Sequence, residues 1–168
     1  MKYINKSLTI ENIKVQDIAK KFGTPIYCYS YKRLKENIAN FQNNFNSFSP
    51  LICFAIKSNT NVKLITEIQK LGLGADVVSM GELMLALKAG VKPNKIVFSG
   101  VGKTSEEISY AINKKILLIN AESKSEIIEI ERIARSKKRA VSIGIRLNPN
   151  TDAKTLKQIS TGKKENKF

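Results

Sequence analysis

The sequence predicts an α/β fold, the N-terminal part of a (β/α)8 barrel with about five βα units. Five short apolar runs begin at residues 51, 75, 95, 115 and 140, and segments with helical periodicity lie between them. Such near-continuous apolar runs are typical of parallel strands buried on both faces. A doubly wound sheet is the alternative, but the even repeat and the lack of a glycine-rich first turn favour the barrel.

Residues 1–30 precede the repeat and are predicted to form a separate N-terminal region. They hold a short amphipathic helix, VQDIAKKFG, and then the run PIYCYS, which we expect to be a strand that joins a β-domain absent from this sequence. The partial barrel is assigned to residues 31–168. A closed barrel needs eight strands over roughly 250 residues. The 168 residues are therefore expected to be the front part of a longer protein.

The repeat itself has recognisable strands and helices. The predicted strands are LICFAI, ADVVS, KIVFSG, KILLINA and AVSIGIRLN. The helices NVKLITEIQKLG and GELMLALKAG end at glycines, and SEIIEIERIARSKK ends in cations. Three helix starts are predicted to be capping boxes, in which a Ser or Thr hydroxyl and a Glu three residues later bind backbone N–H groups: Ser79 with Glu82, Thr104 with Glu107, and Ser123 with Glu126.

The stretch FSGVGKTSEE contains Gly102-Lys103-Thr104, which is also how a nucleotide-binding P-loop ends. A P-loop requires a glycine five residues before this Gly-Lys pair, and that position is Val97. The sequence therefore predicts a turn from a strand into a helix and excludes an ATP or GTP site there.

Charge and composition exclude several other classes of protein. Lys and Arg number 29 against 14 Asp and Glu, for a net charge of +15, but the lysines are spread along the chain without interleaved aromatic residues. We therefore expect no nucleic-acid partner. No apolar run resembles a signal peptide or a membrane span, so a cytoplasmic protein without a membrane partner is expected. Cys28 and Cys53 lie in apolar runs of a chain without histidine, which predicts buried thiols and no metal site.

Candidate site residues lie at the carboxyl ends of the predicted strands, where barrels place their active sites. Lys57 follows a buried strand, where burial would lower its pKa and let its amine form a Schiff base; a solvent-exposed strand-end lysine is the alternative. Asp76 would need a partner such as Lys57 or Arg146, or would mark a solvated strand start. Arg146 could bind an anion or form a rim salt bridge, and Glu82 could serve only as a helix cap.

Several segments carry a family likeness in order along the chain. These are FGTPIYCYS, FAIKSNTN, GLGADVVSMGEL, IVFSGVGKT, INAES, IRLNPNTDAKT and ISTGKKENKF. Together they resemble the diaminopimelate decarboxylase family, pyridoxal-phosphate enzymes with an alanine-racemase-like barrel.

The resemblance implies a role for each candidate. Lys57 matches the lysine that binds pyridoxal phosphate covalently, Asp76 an aspartate beside it, Glu82 a glutamate near the site, and Arg146 an arginine close to the cofactor ring. It implies decarboxylation of a small-molecule substrate, meso-diaminopimelate, to L-lysine and CO2, and a full-length homodimer. It also places Lys103 near the mouth of the site.

Two departures from the family are visible. Leu156 stands where relatives commonly have histidine. The family's ring-stacking histidine, phosphate-binding glycine loop and second domain would lie beyond Phe168, so the isolated chain is expected to be inactive. A related decarboxylase acting on arginine, ornithine or carboxynorspermidine is an alternative, and so is a non-catalytic pyridoxal-phosphate-binding module.

Overall fold

The computed structural model describes residues 1–45, 47–152, 154 and 162. Its contacts divide the chain into two compact units, Met1–Pro50 and Leu51–Phe168. No helix among the described residues is both long enough and apolar enough to cross a membrane.

The first unit contains a small antiparallel sheet that the sequence analysis missed. Strands β1 (Lys2–Ile4), β2 (Ser7–Ile10) and β3 (Ile13–Lys14) pair in that order, and helices α1 (Val15–Phe22) and α2 (Tyr31–Gln42) follow. Both hairpin turns hold two residues with positive φ, Asn5-Lys6 and Glu11-Asn12. These turns have the left-handed geometry of tight hairpins without the glycine that usually signals it.

The predicted strand PIYCYS is not formed within the described residues. A strand exists through hydrogen bonds to a neighbouring strand, and none in this unit pairs with residues 25–30. Tyr27 is 89% exposed and Cys28 is exposed, so the predicted burial of Cys28 is wrong. Pairing of this segment with a β-domain stays a prediction.

The second unit is a run of βα repeats around a parallel sheet. Its strands are β4 (Cys53–Ala55), β5 (Gly74–Val77), β6 (Ile96–Phe98), β7 (Leu118–Ala121) and β8 (Ile143–Ile145), hydrogen-bonded in chain order. The helices are α3 (Val62–Lys70), α4 (Met80–Lys88), α5 (Ser105–Lys114) and α6 (Lys124–Ser136), with short 3-10 turns at Ile56–Ser58 and Pro93–Lys95. All five predicted strands of the repeat are confirmed, and so is their parallel pairing.

The two faces of this sheet differ in chemistry. On one face Val77, Phe98 and Ile119 are fully buried in a core shared with the helices. Side chains alternate along each strand, so the opposite face carries Asp76 and Asn120. We call this opposite side the inner face. The expectation of apolar burial on both faces is therefore correct only for the helix-covered side.

The helix starts follow the capping prediction with one variation. At α5 both halves of the capping box form between Thr104 and Glu107. At α4 and α6 the serine hydroxyls accept the predicted N–H groups, Ser79 from Glu82 and Ser123 from Glu126. The two glutamates, however, accept from the residue before the serine, at 2.9 Å from the N–H of Val78 and 2.7 Å from that of Glu122.

The Glu107 carboxylate links two repeats. Its Oε1 accepts the backbone N–H of Met80 at 2.9 Å, and its Oε2 accepts the backbone N–H of Thr104 at 3.0 Å. Partial burial acts to raise the pKa of the Glu107 carboxyl, but these hydrogen bonds and the nearby Lys103 charge outweigh it and hold the pKa below its usual value.

Candidate active site

Lys57 lies on the 3-10 turn that follows β4, one residue beyond the fully buried Ile56. The turn is closed by the Ser58 hydroxyl, which donates to the carbonyl of Ala55 at 2.7 Å, and by the N–H of Asn59, which donates to the carbonyl of Ile56 at 2.9 Å. The strand ends at Ala55 and the Lys57 side chain is exposed, so of its two predicted alternatives the solvent-exposed strand-end lysine is the one observed. Its amine makes no hydrogen bond or ion pair with the described residues and is open to a reactant.

Asp76 lies on β5, next to Ala55 of β4 in the parallel register. It is half-buried, and the hydroxyl of Ser99 donates to its Oδ1 at 2.5 Å. Within the described residues Asp76 has no ion pair with Lys57 or Arg146, so the predicted partners are wrong. A neutral hydroxyl takes that place, from Ser99 one residue past the neighbouring strand β6, and Ser99 is not among the candidate site residues selected from the sequence.

Arg146 follows β8 and forms the rim salt bridge that was one of its two predicted alternatives. Its Nε lies 3.5 Å from Oε2 of Glu122, whose side chain is 5% exposed against 38% for Arg146. The other oxygen of Glu122 accepts the N–H of Gly100 at 3.1 Å. The guanidinium is therefore held at the carboxyl edge of the sheet by a nearly buried carboxylate.

Glu82 stands at the start of α4, where its observed contact is the helix-cap hydrogen bond from Val78. This contact accounts for its position without a ligand. Its predicted role near the cofactor stays a prediction.

Lys103 is buried within the second unit, and its approach to the mouth of a site stays a prediction. Its side chain is 1% exposed, and Nζ donates to the carbonyls of Gly100 (2.6 Å) and Asn120 (2.7 Å) and to Oε1 of Glu126 (2.9 Å). All three ammonium donors are used. β6 ends at Phe98 and α5 begins at Ser105, so the predicted turn from a strand into a helix is confirmed.

Cys53 adds a half-buried thiol at the start of β4. Burial raises the pKa of this thiol, as does the negative charge of Asp76, although the Lys95 charge partly opposes them. The thiol is therefore held in its protonated form, which is the less nucleophilic one.

Comparison with known proteins identifies the family of this chain. The model of the family described as "Pyridoxal-dependent decarboxylase, pyridoxal binding domain" matches residues 31–168. The chain belongs to this family. Its cofactor is pyridoxal phosphate.

Curated proteins similar to this chain include diaminopimelate decarboxylases from several bacteria. One from Helicobacter pylori is 47% identical over 91% of this chain and 38% of its own length, and one from Aquifex aeolicus is 41% identical over 100% and 40%. The chain thus spans about two fifths of the length of these relatives.

Solved structures agree in fold. Diaminopimelate decarboxylase from H. pylori, complexed with L-lysine, superposes with a TM-score of 0.88 at 46% identity and covers 91% of this chain and 39% of its own. The enzyme from M. jannaschii, also with L-lysine, gives 0.91 at 36% identity over 99% of this chain and 40% of its own. A chlorella virus arginine decarboxylase, at 20% identity and a TM-score of 0.71, shares the fold.

The residues of this edge fit pyridoxal phosphate. The cofactor's aldehyde requires a primary amine that is accessible, and Lys57 presents one on the turn after β4. The polar inner face beside it, with Asp76 on the adjacent strand, supplies an anionic group of the kind such a cationic ring system favours. Leu156, where the sequence departs from the family, lies outside the described residues.

Proposed function

We propose that the protein containing this chain is a pyridoxal-phosphate-dependent decarboxylase that converts meso-diaminopimelate to L-lysine and CO2. The observation that carries the proposal is the accessible amine of Lys57 at the carboxyl end of β4. The identity of 41–47% to diaminopimelate decarboxylases supports this substrate over those of the arginine decarboxylase, to which the likeness is one of fold.

Each candidate residue has a task in this proposal. Lys57 Nζ would hold the cofactor covalently, and as a free amine it would be able to carry a proton. The Asp76 carboxylate, on the adjacent strand β5, would supply an anion to the cofactor site, and Arg146 would supply a cation close to the ring. Glu82 fixes the start of α4 near the site. Bound pyridoxal phosphate supplies the electron sink for the electron pair left when CO2 departs.

We further propose a homodimer located in the cytoplasm, where reducing conditions suit the two free thiols Cys28 and Cys53. In this proposal residues 1–30 associate with a β-domain and residues 31–168 form the barrel portion. In this proposal the residues that bind the cofactor's phosphate and the substrate belong to parts of the protein outside this chain.

Borohydride trapping tests the cofactor role of Lys57. The full-length protein is incubated with pyridoxal phosphate, reduced with borohydride, digested and analysed by mass spectrometry. We expect the label on the peptide that contains Lys57, its loss in Lys57→Ala, and its retention in Lys63→Ala, a matched change of an exposed lysine on α3. A label that survives Lys57→Ala would remove Lys57 from the site.

Substrate profiling tests the reaction. CO2 release is measured with meso-diaminopimelate, arginine, ornithine and carboxynorspermidine at equal concentrations. We expect meso-diaminopimelate to give the highest kcat/KM and L-lysine as product. Faster turnover of any of the other three would assign the protein to a different substrate.

A further inference from the structure

A chain of side-chain hydrogen bonds crosses three strands on the inner face of the sheet. The Nδ2 of Asn120, on β7, donates to the hydroxyl of Ser99 at 3.0 Å, and that hydroxyl donates to Oδ1 of Asp76 at 2.5 Å. Ser99 stands one residue past β6, and Asp76 is on β5. The three side chains thus connect strands β7, β6 and β5 near the edge that carries Lys57.

The chemistry of the groups fixes the direction of this chain. The Asn120 amide nitrogen can only donate, and an ionised carboxylate can only accept. Ser99 has a single hydroxyl proton, so with its oxygen accepting from Asn120 it directs that proton to Asp76. A hydrogen bond to a carboxylate is stronger and shorter than one between neutral groups, which agrees with the 2.5 Å separation.

The far end of the chain is anchored in the buried structure. The backbone carbonyl of Asn120 accepts from the buried Nζ of Lys103 at 2.7 Å, which holds this end of β7 in place. The amide also depends on Gly144, its register partner on β8. A β-carbon added at Gly144 would overlap Oδ1 of Asn120. Because that oxygen is the end of a side chain, an alanine there would displace the amide and leave the backbone unchanged.

We infer that Ser99 and Asn120 are positioning residues for the Asp76 carboxylate, and that Gly144 provides the space this arrangement needs. Ser99 fixes which way the carboxylate points, and Asn120 fixes Ser99. The inference rests on the proposed function, because the placement of Asp76 affects a reaction only when Lys57, on the turn that follows the adjacent strand β4, carries the cofactor.

The test uses the full-length protein with pyridoxal phosphate and meso-diaminopimelate. Ser99→Ala removes the donor to Asp76, and Ser99→Thr retains a hydroxyl. Gly144→Ala displaces the Asn120 amide without replacing any of the three hydrogen-bonded side chains. Gly81→Ala is the matched control, because an added β-carbon there meets only the hydroxyl of Ser79 at an ordinary 3.8 Å. Thermal unfolding, kcat, KM and the visible absorbance spectrum of the bound cofactor are measured for each protein.

We expect Ser99→Ala to lower kcat about tenfold, the effect of one hydrogen bond to a charged group, with KM within about twofold. Gly144→Ala should lower kcat about threefold or more, whereas Ser99→Thr should keep about half of it. The absorbance spectrum of the bound cofactor should change in Ser99→Ala and Gly144→Ala and match the wild type in Ser99→Thr and Gly81→Ala. A loss of stability alone would not produce that pattern.

The outcomes separate the two hypotheses. If the wild type holds the cofactor and releases CO2 while Ser99→Ala and Gly144→Ala leave kcat and the spectrum unchanged, the positioning role is refuted and the proposed function stands. If Ser99→Thr is as impaired as Ser99→Ala, the hydroxyl is not what matters and the inference also fails. A wild type that neither retains the cofactor nor releases CO2 overturns the proposed function and the inference with it.

Discussion

Replacing Lys103 with methionine should destabilise the second unit more than replacing any of its exposed charged residues. Methionine keeps the length of the side chain but removes the charge and all three donors. The Glu126 side chain, 10% exposed, then loses its ion-pair partner among the described residues, and the carbonyls of Gly100 and Asn120 lose a donor. Removing one member of a buried ion pair costs about 3–5 kcal/mol. We expect a loss of about 4 kcal/mol in the free energy of unfolding.

Urea denaturation followed by circular dichroism measures this loss, with Arg135→Met as the matched control. Arg135 pairs with Glu131 across one turn of α6, with side chains 80% and 56% exposed, so its replacement should cost at most about 1 kcal/mol. The double variant Lys103→Met/Glu126→Gln should recover part of the stability, because no unpaired charge remains buried. A Lys103→Met loss no larger than that of Arg135→Met would refute the reasoning.

Three further changes have definite expected outcomes. The lowered pKa of Glu107 means that its contribution to stability is present above the usual glutamate pKa of 4.5 and is lost as pH falls through the lower folded value. Thermal unfolding should therefore show a wild-type advantage over Glu107→Gln at pH 6 that shrinks towards pH 3; a constant difference would contradict this. Gly74→Ala should cost about 3 kcal/mol in urea denaturation, because its β-carbon would overlap the backbone carbonyl of Lys95, whereas Gly81→Ala should cost nothing. Lys57→Ala should leave the free energy of unfolding within about 0.5 kcal/mol of wild type, since the side chain is exposed; a larger loss would give Lys57 a structural role.

The repeat was predictable because it depends on patterns that the sequence displays directly. Apolar runs at even spacing located β4 to β8, and the Thr104-Glu107 pair located the start of α5. The first-unit hairpins were not predictable in this way, since Asn5-Lys6 and Glu11-Asn12 take positive φ without glycine. The run PIYCYS had the composition of a strand, but composition does not supply a pairing partner.

In the site, too, the sequence shows the order of residues along the chain but does not show which of them are neighbours in space. Strand-end position was enough to select Lys57, Asp76 and Arg146. It was not enough to pair them, because a shift of one residue decides whether Lys57 belongs to the strand or to the exposed turn beyond it. Ser99 carried no composition signal, since its importance comes from the parallel register that brings it to Asp76. Lys103 could not be placed because its three acceptors are separated from it by 3, 17 and 23 residues.

The hydrogen bond from the Met80 N–H to Glu107 affects the order in which the protein can form as it is synthesised. Met80 is the first residue of α4, and the carboxylate that caps it comes 27 residues later in the chain. A ribosome that has released α4 has therefore not yet made one of the groups that completes its N-terminus. The second and third repeats should reach their final stability together during translation, and cutting the gene between them would leave α4 with an unpaired N–H.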